Sequence, residues 1–161
     1  MSPVWLPEQI LLEHYQGEWE AYFDSVYQAF HRDFVLSKPV FRGVRLGLKR
    51  HPEYEGKSAT FWHMISTGNV ESERVPDIRR CERISWPKPV IDNSTDTCLK
   101  VWAEPKGKNR RIHIWFEDEG YLVVLDDRGD FMLPWTAFYI EHNHQRKKYN
   151  KRWERHIHNG I

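Results

Sequence analysis

The chain has 161 residues, a length typical of a single domain that buries a substantial core. Its hydrophobic fraction of 40% and its aromatic fraction of 14% exclude a disordered chain. The 24 Lys and Arg residues nearly balance the 23 Asp and Glu residues, so any affinity for nucleic acid has to come from a local patch of charge.

The number of cysteines and the hydropathy of the chain indicate in which cellular compartment the protein works and whether it binds a metal. Cys81 and Cys98 do not form a metal-binding spacing, and no apolar stretch approaches the length of about 18 residues that a membrane helix needs. The N-terminal sequence MSPVWLPEQI lacks the charged region and the long apolar run of a secretory signal. We therefore expect a soluble, cytoplasmic protein with no membrane partner, no metal and no cofactor.

The N-terminal third of the chain is predicted to be helical first and irregular afterwards. Between residues 7 and 34 the apolar side chains recur at helical spacing, which predicts one helix or a broken pair with its break at Gly17. Residues 33–56 are rich in Gly and Pro and form a predicted connector. An alternating piece at residues 40–48 favours a short strand within this connector.

Two short helical segments are expected next along the chain. Residues 58–66 fit a helix capped by Ser58, with a short strand as the alternative. Residues 77–83 fit one or two helical turns after Pro76, since proline suits the first position of a helix. Pro87 and Pro89 then predict an extended edge or loop across residues 84–91.

The second half of the chain has the pattern of a small sheet. Residues 99–104, 110–116, 121–125 and 131–140 are predicted strands, and the short turns between them imply an antiparallel meander. Alternation in the second strand puts one set of side chains on an apolar face and the next set on a polar face. The apolar set, which we expect to lie against the helices, is Ile112, Ile114 and Phe116, and the polar set is Arg111, His113 and Trp115.

Residues 142–158 are polar and basic, with Tyr149, Trp153 and Ile157 spaced four apart, which predicts a surface helix. The predicted fold class is therefore α+β. N-terminal helices pack on a four-stranded antiparallel meander, and a C-terminal helix follows. We expect residues 1–161 to form one domain.

The chemistry that the sequence suggests is concentrated in residues 56–86. His63 lies on an apolar segment, and four arginines follow it closely: Arg74, Arg79, Arg80 and Arg83. A histidine moves protons near neutral pH, and guanidinium groups neutralise phosphate oxygens. An imidazole beside clustered guanidinium groups is what binding or cleaving a phosphodiester requires.

Several motifs, in this order, resemble a known group of nucleases. They are FWHMIS, RVPDIRRCERISW, LKVW, RRIHIWF, YLVVLDDR, LPWTAFYI and KKYNKRWE, and the resemblance runs from about Asp33 to Arg155, most of the chain. The set is similar to the phage-associated and polymorphic-toxin nucleases of the barnase, EndoU, colicin and RelE-like group. The resemblance implies a metal-independent endoribonuclease that acts as a toxin of a phage or mobile element. It makes residues 1–55 a helical N-terminal part, residues 56–140 the nuclease-like core, and residues 141–161 a basic helix and tail.

The resemblance also implies roles for individual residues. It puts the catalytic histidine at His63, the catalytic arginines at Arg80 and Arg83, and the threonine of the last strand at Thr136. RNA is the implied partner, and an antitoxin or immunity protein is a further one. The expected RNA-binding residues are Lys57, Arg74, Arg79, His113, Lys147, Lys148 and Lys151.

Cleavage by 2′-hydroxyl attack needs a base, an acid and fixed positive charge. The residue pattern leaves the second proton-transfer group open between His113 and Glu104. Members of the group commonly carry tyrosine directly after Thr-Ala, where this chain has Phe138. Tyr139 would point to the opposite face of a regular strand.

Each assignment has a structural alternative. His63 could be a packed histidine that is hydrogen-bonded to a carbonyl, with no catalytic role. Thr136 could be present only because threonine favours a β-strand. The arginines suit a self-paired surface with neighbouring carboxylates, namely Glu71, Glu73, Asp77 and Glu82. The basic C-terminal helix is explained equally well as a face that keeps the protein in solution.

A zinc site from His142, His144, His156 and His158 is not expected. The alternative function is a non-catalytic module of a mobile element that binds RNA or a host protein.

Overall fold

The computed structural model describes residues 2–68 and 73–158. Its α-helices are α1 (Trp19–His31), α2 (Ala59–Ile65), α3 (Ile78–Glu82), α4 (Pro87–Asp92) and α5 (Asn143–His156). Its short strands are β1 (Val40–Phe41), β2 (Val44–Arg45), β3 (Ser66–Thr67) and β4 (Val75–Pro76). Its long strands are β5 (Lys100–Lys106), β6 (Asn109–Phe116), β7 (Tyr121–Asp127) and β8 (Met132–Tyr139). The predicted α+β class is confirmed.

The N-terminal segment is broken near Gly17, as one of the two predictions has it, but the part before the break is only a short turn. A single 3-10 turn at Leu12–Tyr15 ends where Gln16 and Gly17 both adopt positive φ angles, of 52° and 75°. α1 follows, and its last part widens into a π-helical turn at Arg32–Leu36. The helix buries an apolar stripe that packs into the main core, as the spacing of its side chains predicts.

α2 begins as the sequence predicts, because the Ser58 hydroxyl accepts a hydrogen bond from the Phe61 N–H at 3.3 Å. α3 also forms, but its cap is Asp77, whose carboxylate accepts from the Arg79 N–H at 2.9 Å. Pro76 lies in β4 before that cap and is not the first helical residue, so this detail of the prediction is wrong.

The extended edge or loop predicted for residues 84–91 is wrong, because α4 occupies most of it. Pro87 is the first residue of α4, and Pro89 follows in the same turn. The backbone N–H groups of a first helical turn have no partner within the helix, so prolines there remove no hydrogen bond. The two prolines start a helix at this point of the chain.

The four long strands form the predicted antiparallel meander in the order β5-β6-β7-β8. A bulge interrupts the last pair, since Val124 pairs with Thr136 and Leu125 pairs with Pro134. Trp135 is therefore the extra residue on β8. β8 is an edge strand, and α2 and α3 pack against it.

Both faces of this sheet are covered. Ile112, Ile114 and Phe116 enter the main core with the N-terminal helices, as predicted. On the opposite face a second cluster buries Trp102 and Trp115 together with Leu122, Val124 and Ile140. Tyr149 and Trp153 of α5 pack onto that cluster. The face that the sequence predicts to be polar is therefore covered, and Trp115 and His113 on it are both buried.

The main core includes side chains from α1, α2, α4 and all four long strands. None of the helices in the described chain combines the length and apolar character of a membrane-spanning segment.

Candidate functional site

An imidazole and two cations meet around one indole ring at the edge of the large sheet. The ring centroid of His63 lies 5.1 Å from that of Trp135, edge to face at 61°. The Arg111 guanidinium carbon lies 4.2 Å from the Trp135 ring centroid, and the Lys49 ammonium lies 5.5 Å from it. His63, Trp135, Arg111 and Lys49 are all partly exposed, and we call this group the Trp135 site.

Four separate segments bring these side chains together. His63 is in the last turn of α2, and Trp135 is the bulged residue of β8. Lys49 is tied to α2, because its N–H donates to the Thr60 hydroxyl at 2.8 Å and its carbonyl accepts from the Thr60 N–H at 3.0 Å. Arg111 reaches Trp135 from β6, across the face of β7.

Arg80 and Thr136 lie beside His63 but contact its backbone. The Thr136 hydroxyl donates to the His63 carbonyl at 3.0 Å. Nη1 of Arg80 lies within 3.1 Å of that carbonyl, of the Ser66 carbonyl and of the Thr136 hydroxyl oxygen. The Arg80 side chain is only 14% exposed, and burial lowers the pKa of its guanidinium. These contacts hold the end of α2 against β8. A catalytic role for either residue stays a prediction.

Arg83 lies further along β8. Its guanidinium carbon is 4.1 Å from the Tyr139 ring centroid and 5.3 Å from that of Trp86. Nη1 of Arg83 donates to the Arg79 carbonyl at 3.1 Å, and its side chain is 9% exposed. Tyr139 follows Trp135 by four residues, a distance of roughly 13 Å along a strand. The structure therefore groups Arg80 and Thr136 with His63 and leaves Arg83 apart.

The other predicted RNA-binding residues near His63 are dispersed. Arg74 donates to the Ser66 hydroxyl at 2.9 Å and to the Gly68 carbonyl at 2.8 Å. Arg79 is 61% exposed and pairs with Glu82 at 3.2 Å, as the alternative of a self-paired surface predicts. The Lys57 ammonium lies 4.9 Å from the Tyr27 ring centroid. Glu71, which the same alternative includes, is outside the described residues.

A row of charge crosses the sheet beside the Trp135 site. Glu104 pairs in register with Arg111, and Arg111 pairs with Asp126. The Asp126 carboxylate is 4% exposed and accepts from Arg111 at 3.0 Å and from Arg128 at 2.7 Å. A buried carboxylate held by two guanidinium groups fixes the position of both. The Arg111 guanidinium that contacts Trp135 is thus held in position by Asp126.

His113 does not lie on an open face, because its side chain is 6% exposed and stacks on Trp102 at 5.0 Å between ring centroids. Its Nε2 lies 3.2 Å from Nη2 of Arg152 on α5. Burial lowers the pKa of His113 to about 4, against the opposite effect of the Glu104 carboxylate. His113 is therefore neutral at neutral pH, enclosed between the sheet and α5.

Glu104 is the other residue that the sequence leaves open as a proton-transfer group. Burial opposes its ionisation, but hydrogen bonds from Arg152 at 2.8 Å and from the Trp102 indole at 2.7 Å outweigh that effect. The pKa of Glu104 is lowered to about 2. Neither Glu104 nor His113 carries an acidic proton at neutral pH, so neither can act there as a general acid.

The cations of α5 divide into two groups. Lys147, Lys148 and Lys151 are exposed, as a binding or solubilising face requires. Arg146 and Arg152 are used internally, since Arg146 donates to the Ile140 carbonyl at 2.8 Å and Arg152 donates to Glu104.

The histidines that could form a zinc site lie at the two ends of α5. The rings of His142 and His144 stack at 5.8 Å near its start, whereas His156 and His158 lie at its end. Within residues 2–68 and 73–158, no group of three or more His, Cys, Asp or Glu side chains is arranged to hold a metal ion.

Comparison of the chain with protein-family models, curated proteins and solved structures finds no match. The site is therefore interpreted from its own geometry. Sequence reasoning missed Lys49, Arg111 and Trp135 as site residues. Trp135 lies within the LPWTAFYI motif, but its bulge, which depends on the pairing with β7, gives no local signal.

Proposed function

We propose that the protein is a metal-independent endoribonuclease whose active site is the Trp135 site. The observation that carries the proposal is the partly exposed imidazole of His63 beside two cations that share the Trp135 ring. An imidazole transfers protons near neutral pH, and paired cations stabilise the negative charge that develops on a phosphate during cleavage.

In the proposed reaction His63 removes the proton from a ribose 2′-hydroxyl. The 2′-oxygen attacks the phosphorus, and the bond from phosphorus to the 5′-oxygen breaks. The 5′-oxygen takes its proton from water, and the hydroxide that remains takes the proton from His63. The products are a 2′,3′-cyclic phosphate and a 5′-hydroxyl. Arg111 and Lys49 neutralise the non-bridging oxygens, and the indole of Trp135 offers a stacking surface for an unpaired base.

Arg80 and Thr136 act as positioning residues in this proposal. Both contact the His63 carbonyl, and through it they fix the last turn of α2 and the place of the imidazole. Displacements of about 1 Å in a catalytic group cost large factors in rate, so these contacts matter without touching RNA.

The test compares wild type with His63→Ala on RNA in EDTA. We expect wild type to cleave RNA and the variant to lose roughly 10²-fold or more of the rate, the size of a general-base contribution. Replacement of the exposed His14 by Ala is the matched control and should leave the rate unchanged. Equal rates for all three proteins, each shown by circular dichroism to be folded, would contradict the proposal.

A second candidate function is RNA binding without cleavage, and one feature of the structure favours it. Trp19 and Tyr54 are exposed at a cleft of about 540 Å³. The rest of its lining includes aromatic rings, two cations and three acidic residues, namely Phe23, Trp62, Lys57, Arg74, Glu20, Asp24 and Glu55. Aromatic rings beside a cation suit stacked bases and phosphates. A binder would retard RNA on a gel without shortening it, and His63→Ala would not change that behaviour.

A toxin role in the cytoplasm, countered by an antitoxin or immunity protein, is proposed from the resemblance of the motifs. If the proposal holds, expression of wild type arrests bacterial growth and expression of His63→Ala at the same level does not. Normal growth with wild-type protein accumulated in folded form would remove the toxin role.

A further inference from the structure

Residues 37–52 contain five Lys and Arg residues and no Asp or Glu, although the chain as a whole is almost neutral. The five are Lys38, Arg42, Arg45, Lys49 and Arg50. Lys49 already belongs to the Trp135 site, so the C-terminal end of this basic segment lies at the proposed active site.

The basic segment is held in place at both ends and in the middle. Its start is the hairpin of β1 and β2, where Arg42 and Gly43 form a turn with positive φ angles of 49° and 88°. In the middle the Gly47 N–H donates to the Met132 carbonyl of β8 at 2.9 Å. At the end the Arg50 carbonyl accepts from the Ala59 N–H of α2 at 3.0 Å. A fixed backbone presents its cations without a large ordering cost.

Two charges of this segment, those of Arg45 and Arg50, have no carboxylate within ion-pair distance in the part of the chain that the structure describes. Both residues are exposed. Burial lowers the pKa of Lys38, and the positive charges of Arg45 and Arg50 lower it further. Like charges that repel each other favour the approach of an anion.

The far end of the segment borders a depression of about 350 Å³. Lys38, Arg42 and Lys88 line it, together with Ser94 and Thr95, and Arg42 donates to the Ser94 hydroxyl at 3.3 Å. Asp92 is the carboxylate in this lining, and it already accepts from Lys88 at 2.7 Å and from the Val40 N–H at 2.8 Å. Cations and hydroxyl donors around a small depression suit a phosphate group.

We propose that residues 38–50 form a track for the phosphate backbone of single-stranded RNA, leading from the depression beside Arg42 to the Trp135 site. The proposal rests on the proposed function, since it names how a long substrate reaches the same site. Lys49 follows Arg45 by four positions, and an extended chain spans at most about 14 Å over that distance. The track therefore serves nucleotides that flank the cleaved bond.

The proposal is tested with the double variant Arg45→Gln/Arg50→Gln on two substrates. A dinucleotide reaches only the Trp135 site, whereas an RNA of about twenty nucleotides also reaches the track and gains the salt-dependent affinity of phosphate contacts. We expect kcat/KM to be unchanged for the dinucleotide and to fall about tenfold or more for the long RNA. The control Lys106→Gln/Lys108→Gln removes two exposed charges at the β5–β6 turn and should change neither value.

Binding is measured separately with a 2′-O-methyl RNA of the same length, which the proposed reaction cannot cleave. Loss of two phosphate contacts should flatten the slope of log Kd against log salt by about 1.4 for a single strand. An equal loss of kcat/KM on both substrates, or an unchanged salt slope, would overturn the track.

The 2′-O-methyl RNA also distinguishes the track proposal from the nuclease proposal and from binding of an acidic protein partner. If wild type cleaves neither substrate, the nuclease proposal fails, while the 2′-O-methyl probe still decides the track. If poly-glutamate displaces the probe at an equal concentration of charge, the RNA assignment is overturned in favour of an acidic protein partner.

Discussion

At the scale of single residues, Arg111 links the stability of the fold to the proposed chemistry. Its guanidinium neutralises the buried carboxylate of Asp126 and also lies 4.2 Å from the centre of the Trp135 ring. The neighbouring residue Arg110 pairs with Asp127 at 2.7 Å on the other face of the same strands. The two arginines are therefore a matched pair, of which only Arg111 touches the site.

Replacing Arg111 with Gln should lower kcat/KM for RNA by about 10² to 10³, the usual cost of one lost transition-state donor. It should also lower the free energy of unfolding by about 1–3 kcal/mol, because Asp126 keeps only one of two partners. Arg110→Gln, with its partly exposed partner, should leave activity unchanged and cost less than about 1 kcal/mol. Similar activity losses in both variants, in steady-state kinetics, would remove Arg111 from the site.

His113 makes the stability of the protein sensitive to acid. Burial lowers its pKa to about 4, below the value of about 6.5 for an unfolded chain, so the unfolded state binds the proton more tightly. The contribution is fully present above about pH 6.5 and is lost as the pH falls towards 4. Glu104, whose pKa is near 2, stays ionised across that window.

We expect wild type to lose up to about 3 kcal/mol of unfolding free energy between pH 6.5 and 4 through this histidine. In His113→Leu this part of the pH dependence should disappear, which urea titrations at several pH values would measure. Parallel stability curves for the two proteins over that range would contradict the buried, neutral imidazole.

At the scale of elements, the side-chain amide of Asn150 helps to hold α5 on the sheet, together with the rings of Tyr149 and Trp153. The side-chain oxygen of Asn150 accepts from the Trp115 indole at 2.9 Å and from Lys100 at 3.2 Å. Trp115 is fully buried, so its indole N–H has no access to water. An unpaired buried donor of this kind is costly.

Asn150→Leu should therefore lower the free energy of unfolding by about 1–3 kcal/mol while leaving RNA cleavage intact, because Asn150 does not touch the Trp135 site. Asn143→Leu, at the exposed first residue of α5, should change stability by less than about 0.5 kcal/mol. Thermal and denaturant unfolding of the two variants would measure the difference. Equal stabilities would mean that the Asn150 amide does not help to hold α5 on the sheet.

The elements differ in how far the sequence predicts them. Alternation and short turns predict the four-stranded meander correctly, because the period of two residues that marks a strand is visible within each strand's own sequence. Pro87 and Pro89 mislead, because proline breaks a helix interior but suits its first turn, and local sequence does not say which applies. The burial of His113 under α5 depends on a helix about thirty residues later, which no local pattern records.

The candidate site is predicted in part. His63, Arg80 and Thr136 are close to one another, as the order of motifs suggests, but through the His63 carbonyl. Lys49 and Arg111 meet the imidazole at Trp135, which is the extra residue of a bulge. A bulge depends on the register of two strands, so its consequence is visible only in the folded chain.

At the scale of the whole molecule, the large sheet separates the main core from the face that carries the charged residues. One face carries the main core with the N-terminal helices, and the other carries α5 and the charged row that leads to the Trp135 site. The site uses Lys49, His63, Arg111 and Trp135, which are far apart in sequence. Its geometry therefore depends on the packing of the entire domain, and the stability effects above bear on it indirectly.

The most direct test of the central claim is the chemical identity of the cleaved end. A DNA oligonucleotide with a single ribose is incubated with wild type in EDTA, and the products are weighed by mass spectrometry. Attack by the 2′-hydroxyl predicts one cut, after the ribose, and a 2′,3′-cyclic phosphate that is lighter than the open monophosphate by one water. His63→Ala should give the same product at about one hundredth of the wild-type rate or less. Cuts at deoxyribose positions, or the same cyclic product from His63→Ala at the wild-type rate, would contradict the account.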